Sequence, residues 1–318
     1  MRFRALGVGG PEVSVVGLGC NNFGRGVDER GTRSVVDAAL DAGVTLFDTA
    51  DVYGDFGDSE RFLGAALRGR RDGVLIATKF GGTGGRTDVP TTRGSREYVR
   101  RAVDASLERL ATDRIDLYQY HHPDGVTPIE ETLGALNELL DEGKVRYIGS
   151  SNFNAEQVDG ADRIARQNGW VGFVSAQNEY SLLSREAEQA LLPTCERLGL
   201  GFIPYFPLAS GYLTGKYRRG ERFPAGSKHE GREATVPTEV FAVVEALERY
   251  GAERGRTLLE VAIGCLVARP PVASVIAGAT TPDQVRANAA AGDWEPTEAD
   301  LEELSAVLDR VGAVPSWR

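Results

Sequence analysis

Four polar residues are notable in this chain for where they fall. Asp48, Lys79 and His121 each close an apolar run, in "GVTLFD", "LIATKF" and "LYQYH", and Tyr53 follows Asp48 in "FDTADVYG". Charged groups at the ends of buried segments are costly unless paired or useful. Taken alone, Asp48 and Lys79 read most simply as a structural ion pair. A tyrosine and a histidine at the same end add chemistry. A phenol near pKa 10 is a poor acid at neutral pH. A neighbouring ammonium stabilises the phenolate and lowers that pKa. Asp48 would hold Lys79 in place and charged, Lys79 would activate Tyr53, and a histidine would polarise a carbonyl. Such a set is a proton donor to an oxygen that becomes an alcohol. No side chain supplies hydride, so a nicotinamide cofactor is implied.

The stretch "LYQYHHPD" holds two adjacent histidines, His121 and His122. Neighbours on a strand point to opposite faces, so at most one faces a given site. The residues alone do not choose between them.

Positioning these groups requires a repeated scaffold. "DAGVTLFD", "DEGKVRYIG", "NGWVGFVSA" and "RLGLGFIPY" each place a glycine after a helical segment and then an apolar, β-rich run. Glycine takes the left-handed conformation that ends a helix, and continuous apolar runs suit strands buried on both faces. Strands are expected at 14–18, 44–48, 74–79, 115–121, 145–150, 172–177, 201–205 and 273–277. Helical periodicity lies between them, at 30–42 through Val35, Val36, Ala39 and Leu40, and at 96–110 through Val99, Val103, Leu107 and Leu110. Thr127 with Pro128 and Glu130, and Thr281 with Pro282 and Gln284, read as capped helix starts.

Eight strand–helix units predict an α/β chain folded as a closed (β/α)8 TIM barrel. Residues 1–13 would form an N-terminal β-hairpin capping one barrel end, and the chain reads as one domain over 1–318. Chemistry in such a barrel sits at the C-terminal strand ends. Those ends carry Asp48, Lys79, His121, Ser150–Asn152, Gln177 and Tyr205, and the last strand runs into "AGATTPDQ". Segment 208–237, rich in Gly, Arg and Lys, is expected to be a functional loop. Segments 81–97 and 122–127 also belong to that face.

The formal net charge is −10, which argues against nucleic-acid binding. It leaves room for a small anionic ligand in a locally basic pocket. Cys20, Cys195 and Cys265 form no C-x-x-C pair, as in a reduced intracellular protein. No secretory leader and no run of about 18 apolar residues is visible, so no membrane span is expected and a cytoplasmic location is. The histidines are not spaced as metal ligands, so no metal is expected. G-x-G-x-x-G after a strand is absent, which argues against a Rossmann fold. "GYLTGKY" is one residue short of a P-loop, and "GGTGGRT" (81–87) reads as a flexible loop rather than a phosphate cradle. Phe23, Phe56, Phe80 and Tyr120 near strand ends are candidate substrate-pocket residues, although each alone reads more simply as core or rim. His229, in the polar "GSKHEG", is expected to be exposed.

The motifs "FDTADVYGDFGDSE", "IATKF", "DLYQYHHPD", "VRYIGSSNF", "SAQNEYSLL", "YFPLASGYLTGKY" and "ATTPDQVRAN" occur in the order seen in the aldo-keto reductase superfamily. The sequence resembles its bacterial-type members over nearly the whole chain. The resemblance implies a barrel with an N-terminal hairpin and a catalytic tetrad of Asp48, Tyr53, Lys79 and His121, with Tyr53 as general acid. It therefore selects His121, and leaves His122 to the helix layer or rim. It implies carboxamide contacts from Ser151, Asn152 and Gln177 and a stacking aromatic at Tyr205. Phe206, Leu208, Gly211 and Lys216 would follow along the cofactor. Gly278, Thr280, Gln284 and Asn288 would hold its adenosine end, and Cys20 and Asn21 would approach it from the first strand.

Many members place basic residues around the adenosine phosphate, where this chain has Gly278, Ala279 and Gln284. Lys216, Arg218, Arg219 and Arg286 are candidate replacements, and NADP (as NADPH) is expected over NAD. The implied activity is reversible reduction of aldehydes or ketones, with a small carbonyl or sugar-like substrate. The alternative is a nucleotide-sensing module of the potassium-channel β-subunit type, and a third reading is an unrelated barrel hydrolase or lyase. Trp317 in the C-terminal tail is a candidate cover for the barrel mouth. Oligomeric state and physiological substrate have no readable code.

Overall fold

The computed structural model describes residues 1–312 and Val314; the Trp317 expectation falls outside them. The chain opens with an antiparallel hairpin, β1 (Phe3–Ala5) and β2 (Glu12–Ser14). The barrel strands are β3 (Val16–Gly19), β4 (Leu46–Asp48), β5 (Leu75–Phe80), β6 (Ile115–Tyr120), β7 (Val145–Ser151), β8 (Ser175–Glu179), β9 (Gly201–Tyr205) and β10 (Val275–Gly278). They form one parallel eight-stranded sheet in the order β10-β3-β4-β5-β6-β7-β8-β9. Backbone bonds from Phe202 to Pro271 (3.0 Å) and from Ala273 to Phe202 (2.9 Å) bring its two edges together. This is the expected (β/α)8 TIM barrel with its hairpin. The sixth strand is shifted most from its apolar run, from 172–177 to Ser175–Glu179, and His121 lies one residue past β6.

The helices are α1 (Glu29–Asp41), α2 (Tyr53–Phe56, a single turn), α3 (Asp58–Ala66), α4 (Arg96–Leu110), α5 (Ile129–Asp141), α6 (Ala155–Asn168), α7 (Leu191–Leu198), α8 (Thr238–Ala252), α9 (Leu258–Val267), α10 (Pro282–Ala291) and α11 (Glu298–Val311). Their apolar stripes cover the sheet: α1 buries Val35 and Val36, and α4 buries Val99, Val103 and Leu110. Burying such a side chain contributes roughly 1.5–3 kcal/mol. Gly43, Gly143, Gly169 and Gly199, which follow helices, all have positive φ. Thr281 caps α10 as expected, accepting from the Gln284 N–H, but the Gln284 side chain turns back to Thr280. The expected cap of α5 does not form. The Thr127 hydroxyl donates to Asp124 instead, at 2.8 Å, because Asp124 gathers the loop's backbone N–H groups.

Side chains alternate across each strand, and the inward column changes from apolar to polar towards the C-terminal ends. Leu46 gives way to Asp48, Ala77 to Lys79, and Leu117 to Gln119. Leu46, Ala77, Leu117, Val174, Ile203 and Ile276 fill the lower interior. Leu6 and Val13 of the hairpin segment close it from below. The barrel is thus plugged at one end and polar at the other.

Candidate active site

The sheet register staggers the polar layer. Asp48 lies opposite Ala77, and Lys79 opposite Gln119, so the Lys79 side chain enters above Asp48 and folds onto it. Lys79 is fully buried and its Nζ donates to Asp48 Oδ2 (2.6 Å), Thr49 O (2.8 Å) and Tyr53 Oη (3.3 Å). These account for all three ammonium hydrogens. The other Asp48 oxygen, Oδ1, accepts from Gln119 Nε2 (3.1 Å) and Gln177 Nε2 (2.8 Å). The buried carboxylate is therefore paired and bonded on both oxygens, as burial requires.

Burial alone lowers an ammonium's pKa, but Asp48 and Tyr53 outweigh it and hold Lys79 above its ordinary value. For Tyr53 the balance differs from expectation. Burial raises its pKa and outweighs the opposing pull of Lys79, so the phenol stays above its usual value. Desolvation penalises the phenolate more than one partly compensated cation relieves it. His121 is pushed well below the usual imidazole range, first by burial and then by Lys79 and His122. It is a neutral ring at physiological pH. Its Nδ1 is buried without a hydrogen-bond partner. The Tyr53 and His121 rings meet edge to face, with centroids 5.8 Å apart.

His122 does not turn to the helix layer. It is exposed at the rim, and its ring stacks on His121 at 4.7 Å and 21°. Strand alternation ends with β6, and the chain turning at Pro123 swings the second imidazole back over the first.

Asp48, Tyr53 and His121 open onto a cavity of about 1000 Å³. Cys20, Asn21, Ser151, Asn152, Gln177, Tyr205 and Phe206 line it, as do Leu208, Gly211, Lys216, Gly278, Thr280, Gln284 and Asn288. These residues, all singled out for a cofactor, thus face one space. Asn152 is fixed by its Nδ2 on His121 O (2.9 Å) and its Oδ1 on Tyr205 Oη (2.7 Å). Cys20 is fully buried, and burial raises its thiol pKa well above the ordinary value, so it is a lining group and not a nucleophile.

Several expectations are corrected. Arg218 and Arg219 reach outward to Glu248 and Glu245, and Arg286 pairs with Asp283. Of the four candidate cations, Lys216 alone lines the cavity. Phe23, Phe80 and Tyr120 take the simpler of their two readings, as core residues, and Phe56 packs outside at Gly84. His229 is buried, stacked on Tyr212 at 4.6 Å. The 81–87 loop contributes Gly82, Thr83, Gly84 and Gly85 to the cavity wall.

The sequence reading missed Gln119, Asn22, Arg25, Ser227 and Lys228. Gln119 was detectable by alternation, two residues before His121. The others lie in loops whose paths only the fold sets. Among the described residues, no helix is long and apolar enough to cross a membrane.

A model of the Aldo/keto reductase family matches residues 15–309. A probable voltage-gated potassium channel subunit beta of Oryza sativa subsp. japonica is 35% identical over 323 residues, 97% of each chain. Aldo-keto reductase YhdN of Bacillus subtilis (strain 168) is 32% identical over 325 residues, 99% of this chain and 96% of that protein. The uncharacterized oxidoreductase YrpG of the same organism is 37% identical over 295 residues, 90% and 89%. With a family match of this extent on a (β/α)8 barrel, the chain belongs to the aldo/keto reductase family of oxidoreductases.

Proposed function

We propose that this protein reduces aldehydes or ketones to alcohols with NADPH, reversibly. One observation carries the reading: Tyr53 Oη accepts a hydrogen from Lys79 Nζ. The phenol's own hydrogen is then free to point into the cavity towards a substrate oxygen. When bound, a nicotinamide cofactor supplies hydride to the carbonyl carbon. The long cavity fits it, with the Tyr205 ring, Ser151 and Asn152 near the tetrad and Gly278, Thr280, Gln284 and Asn288 on the β10–α10 side. Lys216 and Lys228 line the same space and suit phosphate charge, which favours NADP over NAD.

Each tetrad member has a distinct task. Tyr53 gives its proton to the carbonyl oxygen. Lys79 holds the phenol's oxygen and offsets the phenolate left behind. Asp48 keeps Lys79 charged. His121 orients the substrate. A neutral imidazole with its proton on Nε2 leaves Nδ1 as an unpaired acceptor, less costly than an unpaired buried N–H. Nε2–H is then the donor to the carbonyl oxygen.

A second reading is a nucleotide-sensing module serving a channel partner. It rests on the 35% identity to the proteins named probable potassium channel β subunits in rice and in Arabidopsis thaliana. NADPH oxidation with 4-nitrobenzaldehyde, in wild type and Tyr53→Phe, separates the two. Multiple turnovers that collapse in the variant support the reductase. Tight nucleotide binding without turnover supports the sensor. No binding of NADPH or NADH refutes both.

A further inference from the structure

The cavity is electrostatically lopsided. Arg25, Lys216 and Lys228 line it, and among the described lining residues the one carboxylate is Asp48. Asp48 is already neutralised by Lys79 and bonded by Gln119 and Gln177. The chain as a whole carries −10, so a cationic wall runs against its overall charge. Lys216 and Lys228 both belong to segment 208–237, and Lys228 Nζ is bonded to Ser210 Oγ at 2.8 Å. Arg25 stands apart from them, on the loop between β3 and α1.

That loop is built to present its tip. Asn22 O accepts from the N–H groups of Arg25 (3.2 Å), Gly26 (3.0 Å) and Val27 (3.1 Å), and Gly24 N–H donates to Val27 O (2.9 Å). The turn lies flat against the segment that carries Tyr53. A Cβ at Gly24 would stand 3.0 Å from Gly54 Cα and 2.6 Å from Asp58 Cβ, and Gly24 has φ +79°. The residue after Gly24 is therefore held beside the tyrosine's own turn. Among the described residues, no side-chain hydrogen bond or ion pair engages the Arg25 guanidinium. Two carboxylates of the adjoining segments are engaged elsewhere: Asp28 caps α1 through Gly31, and Asp58 pairs with Arg61. An arginine left unpaired on the wall of a cavity suits an anion that arrives with the ligand. Its planar fork matches a carboxylate in two parallel bonds.

We propose that the substrate is an aldehyde bearing a carboxylate, and that Arg25 binds this carboxylate while the carbonyl meets Tyr53 and His121. The proposal rests on the reductase reading and specifies its substrate class. A charge-assisted contact of this kind changes kcat/KM by about 10- to 100-fold.

The test uses two matched pairs of aldehydes with saturating NADPH: 4-carboxybenzaldehyde against methyl 4-formylbenzoate, and 4-oxobutanoate against butanal. Each pair differs mainly in the anionic group, and the ratio of kcat/KM within a pair is independent of how much enzyme is folded. The ester is also the more electrophilic benzaldehyde, so intrinsic reactivity runs against the proposal. Wild type is expected to favour the carboxylate by about tenfold or more in at least one pair, decreasingly so as salt rises. In Arg25→Gln the ratio should fall to near one, and Arg25→Lys should keep part of it. No preference in either pair overturns the proposal while leaving the reductase intact. A preference that survives Arg25→Gln removes Arg25 from the role, and weakened NADPH binding in that variant, read by nucleotide fluorescence, would reassign it to the cofactor. No turnover of any of the four aldehydes refutes the reductase reading and the proposal with it.

Discussion

Gln177 on β8 and Asp48 on β4 are joined by a 2.8 Å hydrogen bond from Nε2 to Oδ1. Gln177 Nε2 also reaches Gln119 Oε1 at 3.1 Å. The carboxylate that anchors the site is therefore held from the far side of the barrel. A residue first assigned to the cofactor has an amide nitrogen that serves the tetrad. Gln177→Ala is expected to reduce kcat while leaving KM for NADPH within about threefold. Steady-state kinetics at saturating aldehyde would show this, and an NADPH effect larger than the kcat effect would reverse the assignment.

Removing the phenol hydroxyl should eliminate the proton donor without disturbing the fold. Tyr53→Phe is expected to lower kcat by about 10²–10⁴-fold, the range for a positioned general acid. NADPH affinity and the thermal midpoint should stay close to wild type, as fluorescence titration and circular dichroism would report.

The Asp48–Lys79 pair is buried, so breaking one side is worse than removing both. Asp48→Asn or Lys79→Met should each destabilise by about 3–5 kcal/mol, and the double variant should recover much of that loss. Urea unfolding of the four proteins, read as a double-mutant cycle, measures it.

A Cβ at Gly82 would stand 2.7 Å from His121 Nδ1. Gly82→Ala should displace the imidazole, lowering kcat/KM for aldehydes by about tenfold or more while NADPH still binds. Unchanged aldehyde kinetics would show that the imidazole's position does not matter.

The pH profile follows from the two shifted groups. His121, pushed down, works as a neutral ring and loses activity only as pH falls through a value below 6.5. Tyr53, pushed up, must be protonated for reduction and loses activity only as pH rises through a value above 10. The kcat/KM for aldehyde reduction should therefore be flat from about pH 7 to 9. Asp51 behaves in the opposite sense for stability. Burial raises its carboxyl to about 8, with Glu60 adding to the effect and Arg109 and Lys79 opposing it. The folded chain keeps that proton where the unfolded chain releases it, so this group's contribution declines as pH rises from about 4 to about 8. Asp51→Asn should flatten the fall in thermal midpoint over that interval, which a pH series of melting curves would reveal.

By itself the sequence determined the periodic features: eight buried strands, glycine-ended helices, the hairpin and the polar residues at the strand ends. Those follow from local rules of alternation and helix termination, which act between near neighbours. It also brought Asp48, Tyr53, Lys79 and His121 to one barrel end, because that end is common to parallel strands. Tertiary structure alone decided the rest. The bonds of Gln119 and Gln177 to Asp48 depend on the stagger between strands, and the stacking of His122 on His121 depends on how the chain turns once β6 ends. Arg218, Arg219 and Arg286 find carboxylates outside, while Arg25 and Lys228 are carried to the cavity by loop paths without a periodic signature. The rise of the Tyr53 pKa is likewise tertiary: a sequence shows the lysine that opposes it, and only the folded barrel shows that burial outweighs that lysine.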